Sequence, residues 1–292
     1  MKPVLNAIIV FTLLSFSGAS YPDSENFSQL WMTEGFKNPE SVIYDPKSNV
    51  IYVSNVNGPP AEKDGNGFIS RVSLDGNIIN LEWVTGLHAP KGLAIAADHL
   101  YVADVDSLVE IDIAGGKISN RYLIDGAKFL NDAVAAEDGT VYVSDTFTNT
   151  IYRLKDGKIE PWLSSPELVS PNGLCLEKQR MLVGSAGIFG ENPVPGEFLA
   201  ISLADKTISS ASGGKPIGAL DGVEADLDGD FYVSDWAGGK IYHVERNGEF
   251  KELMTLEQGT ADIDYIQAKD ILLVPLMISG KLVAYKAHDY DQ

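Results

Sequence analysis

Residues 231–235 read FYVSD, and this pentapeptide decides the fold because near copies of it recur along the chain. The copies are IYVSN at 51–55, LYVAD at 100–104, VYVSD at 141–145, and the weaker MLVGS at 181–185 and LLVPL at 272–276. A period of about 40 to 50 residues is typical of an array of one supersecondary unit. Because each copy alternates in polarity or is rich in β-branched residues, it predicts a short β-strand.

A second recurring segment precedes each copy and begins with a polar residue that small and apolar residues follow. We call these polar residues the leaders: Glu40, Lys91, Asn131, Asn172, Asp221 and Asp262. A third alternating run follows each copy, and a fourth follows in most repeats, as in KIYHVE and FKELMTL. The runs are separated by DG, GG and NG turns, which join antiparallel strands. Six repeats of four strands predict an all-β, six-bladed β-propeller.

The two ends of the chain are expected to close the ring. The sixth repeat ends after its third strand, whereas FSQLWM at 27–32 precedes the first repeat and has no blade of its own. We therefore predict that this N-terminal strand is the outer strand of the last blade. Closure would remove an exposed strand edge, and residues 21–292 would then form a single domain.

Composition excludes one class of partner and limits the covalent chemistry. The 292 residues include 41 acidic and 22 basic side chains, for a formal net charge of −19. A surface this acidic repels phosphate backbones, so nucleic acid is not an expected partner. Cys175 is the only cysteine, so no intramolecular disulfide can form, and we interpret it as a core residue.

The first twenty residues, MKPVLNAIIVFTLLSFSGAS, predict a secretory signal peptide. One lysine is followed by an apolar run from Ala7 to Phe16 and by the small residues SGAS. This run is short for a membrane span, although an uncleaved anchor is the alternative. The mature protein is expected to be periplasmic or secreted, monomeric, and not associated with a membrane once the signal is removed.

The leaders predict a site on the axis of the propeller. The first strand of a propeller blade lies innermost, so six leaders would start six neighbouring strands at the same end of the channel. Four of them, Glu40, Asn131, Asn172 and Asp221, supply carboxylate and amide oxygens, the ligands that Ca²⁺ and other hard divalent cations prefer. The alternative is that Asn and Asp serve only as strand-entry turn residues, where they are common.

A denser group of aspartates lies in LDGVEADLDGDFYVSDW at 220–236 but does not form a known calcium loop. An EF-hand loop needs Gly at its sixth position and Glu at its twelfth. Counting from Asp226, the glycine is fourth and position twelve is Ala237. We therefore assign Asp226, Asp228 and Asp230 to a solvated turn at the far end of blade five. Asp235 returns to the face of the metal, where we expect it either to support the ligands or to cap a turn.

Four motifs resemble the senescence marker protein, gluconolactonase and regucalcin family, which is related more distantly to diisopropylfluorophosphatases and paraoxonases. The motifs are PES at 39–41, FLND at 129–132, SPNGL at 170–174 and LDGV at 220–223. The resemblance implies a six-bladed propeller with a divalent metal, usually calcium, in its channel. By position it implies Glu40, Asn172 and Asp221 as metal ligands, Asn131 as a ligand or substrate anchor, and Asp221 as base or nucleophile.

The resemblance implies hydrolysis of a small-molecule lactone or related ester; the alternative is a non-catalytic propeller that binds a ligand or protein around a structural metal. Sugar-lactone members carry Arg two residues before the Asn131 position, where this chain has Phe129, which argues against a polyol substrate. The histidine pair of paraoxonases has no counterpart here.

Lys91 has three possible roles at its leader position. It could contact the substrate or a developing oxyanion, form an ion pair with Glu40 and Asp262, or be a solvated lysine. We include it with Asp221 and Asn131 as a candidate catalytic residue. The two longest insertions, 55–67 and 185–196, are expected to overhang the metal and to place Asn57, Phe189 and Glu191 at its mouth.

Overall fold

The computed structural model describes residues 27–287. The predicted signal peptide at 1–20 and the two ends of the predicted domain lie outside the described residues, so both remain predictions. In the described part of the chain, no helix combines the length and apolar character that crossing a membrane requires.

The described chain forms six four-stranded antiparallel sheets. Blades one to three are β2 (Pro39–Asp45), β3 (Val50–Asn55), β4 (Gly67–Val72) and β5 (Ile78–Leu87); β6 (Pro90–Ala96), β7 (His99–Asp104), β8 (Ser107–Asp112) and β9 (Lys117–Leu123); and β10 (Leu130–Ala135), β11 (Val141–Asp145), β12 (Thr150–Lys155) and β13 (Lys158–Ser164). Blades one to five follow chain order from inner to outer strand, and the six four-stranded sheets confirm the predicted propeller.

The remaining blades include two short 3₁₀ turns, Pro166–Leu168 and Gln267–Lys269. Blades four to six are β14 (Pro171–Leu176), β15 (Arg180–Ser185), β16 (Phe198–Ser202) and β17 (Ile208–Ser210); β18 (Leu220–Ala225), β19 (Phe231–Asp235), β20 (Lys240–Val244) and β21 (Phe250–Thr255); and β22 (Asp264–Ile266), β23 (Ile271–Leu276), β24 (Lys281–Ala287) and β1 (Phe27–Glu34).

The N-terminal strand closes the ring as predicted. Strand β1 pairs antiparallel with β24 and forms the outer edge of blade six. Phe27 is fully buried and packs edge-on against Tyr232 and Tyr285, so closure also contributes to the core. On the other side, the Trp31 indole donates a 2.8 Å hydrogen bond to the Leu74 carbonyl of blade one.

The hydrophobic core lies between neighbouring blades. Ala94 and Ala103 of blade two pack with Val141 and Val143 of blade three, and the other blades form similar apolar layers. The alternation of each strand sends one set of side chains to each adjacent blade. Cys175 packs in one such layer, and burial raises the pKa of its thiol, as expected for a core residue rather than a nucleophile.

Candidate functional site

Five of the six leaders stand on β-bulges. In blade five Leu220 pairs with Asp235 and the next pair is Val223 with Val233, so Asp221 and the residue after it leave the regular ladder. The inner strands of blades one to four have the same register shift at the leader. Bulges re-aim side chains and are common beside functional sites. Here the bulge takes the leader out of the regular backbone pairing, so its side chain can point toward the site.

The recurring pentapeptide holds the leaders in place. In blade five the Ser234 hydroxyl accepts a hydrogen bond from the amide after the leader, at 2.8 Å, and Asp235 accepts one from Ala219 two residues before it, at 3.0 Å. Ser144 and Asp145 make the equivalent contacts around Asn131. The motif that reveals the repeat therefore positions the site, a role that the sequence analysis expected of Asp235 but not of the serine. Asp235 also accepts from Gly238, which agrees with its predicted capping role.

Adjacent inner strands come unusually close beside the leaders. A Cβ added at Gly173 would lie 1.7 Å from the Asp221 carbonyl oxygen, and one at Gly92 would lie 2.4 Å from the Asp132 Cα. No other residue fits these positions without a shift of backbone. The glycine after the leader therefore allows leaders of neighbouring blades to approach the same point.

Five leaders meet at the buried end of a cavity of about 580 Å³ in the channel. We call them the floor residues: Glu40, Lys91, Asn131, Asn172 and Asp221. All five are buried, although three of them, Glu40, Lys91 and Asp221, belong to charged types that are almost never fully buried without partners. The structure thus brings together all of the residues that the sequence predicted as metal-binding or catalytic.

Three floor residues each present a buried oxygen that has no hydrogen-bond partner. These atoms are Glu40 Oε2, Asn172 Oδ1 and Asp221 Oδ1. An unpaired buried polar atom is costly, so such atoms are rare and require an explanation. These three oxygens come from three different blades and line one cavity, so one cation coordinated by all three would satisfy them.

Asn131 and Asn172 are oriented by hydrogen bonds from their amide nitrogens. Asn172 Nδ2 donates to the Leu220 carbonyl at 3.3 Å. Asn131 Nδ2 donates at 3.0 Å to the hydroxyl of Thr146, which itself donates to the Pro171 carbonyl. Because the nitrogens are used in this way, the carbonyl oxygens are the atoms left for a ligand.

The electrostatics of the floor favour the same interpretation. Burial, and secondarily the Asp221 carboxylate, raise the pKa of Glu40 well above its usual range. Burial and the nearby Asp262 raise the pKa of Asp221, while a hydrogen bond from Asn172 opposes them. A divalent cation would favour the ionised form of both groups. Two carboxylates and two amide oxygens fit a hard ion such as calcium.

Lys91 is buried beside these carboxylates, with 1% of its surface exposed, so the solvated-lysine interpretation is wrong. Its ammonium donates to the Ala89 carbonyl at 3.0 Å and lies 4.3 Å from the centre of the Phe129 ring. It forms no salt bridge with any residue in 27–287, which argues against a direct ion pair with Glu40 or Asp262. Burial lowers the pKa of Lys91 to about 8, against the opposing effect of Glu40 and Asp104.

The mouth of the cavity differs in part from the expected one. Phe189 lines it as predicted, whereas Asn57 and Glu191 do not. Insertion 55–67 contributes only Pro60, and Asn57 instead donates to the Asn66 carbonyl within that loop. Sequence reasoning missed the apolar members of the mouth, which follow strands or lie in loops and carry no periodic signal: Phe147, Ile188, Val194 and Trp236.

Asp262 is the one leader that does not join the floor, so the expected convergence of all six is wrong. Strand β22 begins only at Asp264 and has no leader bulge, and the amide of Asp262 donates to the Glu40 carbonyl instead. Its carboxylate accepts a 2.5 Å hydrogen bond from Ser41. The side chain lines a second cavity of about 370 Å³, together with Asp132, Glu224 and Asp264.

The Asp264 carboxylate in the second cavity should make the free energy of unfolding depend on pH. Burial raises the pKa of Asp264 to about 7, against hydrogen bonds from the Tyr44 and Tyr265 amides. An unfolded aspartate titrates near 3.9, so the folded state binds more protons between about pH 4 and 7, and stability falls as pH rises through this interval. Asp264→Asn is expected to raise the unfolding free energy at pH 8 by roughly 1 to 3 kcal/mol.

Urea denaturation at pH 5 and pH 8, with chelator present, measures this effect. The asparagine oxygen can still accept the hydrogen bond that Tyr44 donates at 2.8 Å, so only the charge changes. Asp75→Asn, in an exposed turn, is the matched control. Equal pH dependence in Asp264→Asn and the unsubstituted protein would contradict the prediction.

Asp226, Asp228 and Asp230 lie in the turn between β18 and β19, but Asp226 is buried rather than solvated. Its carboxylate accepts from the amides of Asp228 and Asp230 and lies 2.8 Å from His243 Nε2. Ligand atoms of Asp226, Asp230 and His243 lie within 4.8 Å of one another, so this group could also hold an ion. Both Asp226 oxygens already have partners, unlike the unpaired oxygens of the floor.

Comparisons with known proteins support the fold. The sequence matches no protein-family model and no curated protein. The structure is similar to a gluconolactonase from Xanthomonas campestris, with a TM-score of 0.67, 17% identity, and coverage of 90% of this chain and 89% of the other. A gluconolactonase candidate from structural genomics gives a TM-score of 0.66 at 18% identity, covering 92% and 94%.

A lyase has the same architecture. A catalytically inactive His-to-Ala variant of virginiamycin B lyase from Staphylococcus aureus, solved with quinupristin, gives a TM-score of 0.59 at 14% identity, covering 90% of this chain and 100% of the other. Identities this low establish the six-bladed propeller alone. The gluconolactonase neighbours agree with the resemblance that the four sequence motifs indicate.

Proposed function

We propose that this chain is an exported, calcium-dependent hydrolase of lactones or related esters. The observation that carries the proposal is the set of three unpaired buried oxygens, Glu40 Oε2, Asn172 Oδ1 and Asp221 Oδ1, at the end of one cavity. Fold alone does not determine function. The site supplies the argument, and the similarity to gluconolactonase structures agrees with it.

Glu40, Asn172 and Asp221 would hold the ion, and Asn131 would be a fourth ligand or a substrate anchor. When bound, calcium would polarise a substrate carbonyl and stabilise the negative charge that develops as water adds. Other divalent cations of similar hardness would also fit this set of oxygens.

The chain's own groups provide the remaining chemistry. Asp221 is the carboxylate best placed to orient a water molecule or to accept its proton, because it belongs to the floor and is held on both sides by the pentapeptide of blade five. Lys91 is the only cation among the described residues that line the cavity, so its ammonium can donate to the oxyanion. Asn131, fixed through Thr146, can anchor the substrate.

The wider context is also part of the proposal. The signal-like N-terminus supports export to the periplasm or the extracellular space, and a cavity of about 580 Å³ suits one small molecule. We expect a monomer that needs neither nucleic acid nor a membrane.

A lyase reaction is the less favoured use of the same fold. The inactive lyase variant was made by replacing a histidine, and no histidine is among the described residues that line this cavity. The floor therefore favours carboxylate-assisted addition of water.

A panel of γ- and δ-lactones and aryl esters tests the proposed function. With calcium present we expect hydrolysis that is lost on chelation with EGTA and restored by excess calcium. If no substrate is hydrolysed with calcium, magnesium, manganese or zinc, the chain is better described as a binding propeller with a structural metal.

A further inference from the structure

One side of the cavity is built from apolar side chains. We call this set the apolar wall: Phe129, Phe147, Ile188, Phe189, Val194 and Trp236. Its members come from the loops of blades three to five. The polar groups that line the cavity lie mainly at the floor. One end of a bound molecule would therefore contact polar groups, and the other end would contact apolar side chains.

Four members of the apolar wall are unusually exposed for their type. Phe147, Ile188, Phe189 and Val194 have 54%, 54%, 57% and 49% of their surface accessible. They are four of the ten large hydrophobic side chains exposed in the described chain, and all four lie at this one mouth. Scattered exposed hydrophobics need no explanation, whereas a cluster at a concave site indicates a ligand.

Aromatic rings connect the floor to the mouth without a gap. The Lys91 ammonium lies 4.3 Å from the Phe129 ring centre, Phe129 lies 4.6 Å from Phe147, and Phe147 meets Phe189 edge-on at 6.4 Å. A molecule whose carbonyl reaches Lys91 and the floor would therefore extend its remaining atoms along these rings.

The loop that carries the outer part of the wall is held in place by backbone hydrogen bonds. Ile188 and Val194 exchange two, at 2.9 and 3.0 Å, and the Gly196 amide donates to the Gly218 carbonyl at 2.7 Å. Gly187 is needed in this loop, because a Cβ there would lie 2.1 Å from the Val194 carbonyl oxygen. The wall is thus preformed, and a ligand does not bear the entropic cost of ordering it.

We propose that the apolar wall is the specificity subsite for the non-carbonyl part of the substrate, and that the substrates are lactones or esters with an alkyl or aryl substituent rather than sugar lactones. That these compounds are hydrolysed rests on the proposed function, whereas their binding to the apolar wall does not. A polyol packed against Phe129, Phe147 and Phe189 would lose the hydrogen bonds of its hydroxyl groups to water and gain none from the rings, which is costly.

Two series of compounds test the subsite. The first is γ-lactones with 5-alkyl chains from methyl to heptyl, compared with glucono-1,5-lactone, measured as kcat/KM with calcium. The second is the corresponding γ-lactams, which resist hydrolysis, measured as Kd by calorimetry. Each added methylene should raise kcat/KM in the first series, and lower Kd in the second, by about three- to fourfold until the cavity is filled.

Variants of the wall complete the test. Phe189→Ala and Phe147→Ser, both at exposed positions, should reduce the gain to less than about twofold per methylene. Leu227→Ala, which is 60% exposed in the turn between β18 and β19, is the matched control and should keep the full gain. Thermal melting of each variant verifies that it folds.

The two proposals can fail separately. A flat chain-length dependence in both series, or a preference for glucono-1,5-lactone, would overturn the apolar subsite even if lactones are hydrolysed. If no lactone is hydrolysed but lactam affinity rises with chain length and falls in Phe189→Ala, the subsite stands and the hydrolase proposal does not.

Discussion

Asp221→Asn is expected to lower calcium-dependent hydrolysis by about a thousandfold or more, because one side chain is proposed both to bind the ion and to act on water. The substitution keeps the shape of the residue and removes its charge. Burial and the nearby Asp262 raise the pKa of Asp221, so without metal this group disfavours folding at neutral pH, and the metal-free variant should be more stable than the unsubstituted protein by roughly 1 to 3 kcal/mol.

Calcium should reverse that order of stability. At a concentration 100 times its Kd, a ligand stabilises the folded state by about 2.7 kcal/mol, and the variant should lose most of this gain. Thermal melting with EGTA and with calcium, together with lactone turnover, measures both effects. Asp228→Asn, exposed in the same blade, is the control. Equal calcium stabilisation of Asp221→Asn and the unsubstituted protein would exclude Asp221 as a ligand.

Lys91→Met is expected to lower kcat/KM by about a hundredfold, the usual effect of removing one donor to a developing oxyanion. Methionine preserves the apolar stem and can contact the Phe129 ring, so the packing loss is small. Calcium affinity should stay the same or rise, because a positive charge is removed from the floor.

Measuring both kcat/KM and the melting temperature distinguishes the two remaining roles of Lys91, contact with the substrate or oxyanion and balance of the buried carboxylate charge. If the lysine only balances buried carboxylates, Lys91→Met should lower the melting temperature and leave kcat/KM within about twofold. Lys128→Met, at an exposed position next to Phe129, is the matched control. A kcat/KM near that of the control would show that Lys91 does not act on the substrate.

The fold could be predicted from sequence because the repeat appears at several levels. FYVSD and its copies, the leaders and the DG turns all indicate the same unit, and Phe27 at the start of an unpaired strand indicates the closure. The floor could be predicted for the same reason, since Glu40, Asn131, Asn172 and Asp221 recur in register.

The parts that could not be predicted depend on three-dimensional context. Asp262 holds the sixth leader position, but its strand begins late and the side chain enters the second cavity. Asp226 resembles a solvent-exposed turn residue in sequence, yet His243 from a neighbouring strand encloses it. The apolar wall is assembled from loops of three blades, and no local pattern in any one loop shows that they meet.

A crystal structure determined with calcium, with the anomalous signal used to locate the ion, tests the central claim most directly. The account predicts one ion in the channel, bound by Glu40, Asn172 and Asp221 and absent from Asp221→Asn. An ion found only at Asp226, Asp230 and His243, or the Lys91 ammonium bound to the three floor oxygens in its place, would contradict it.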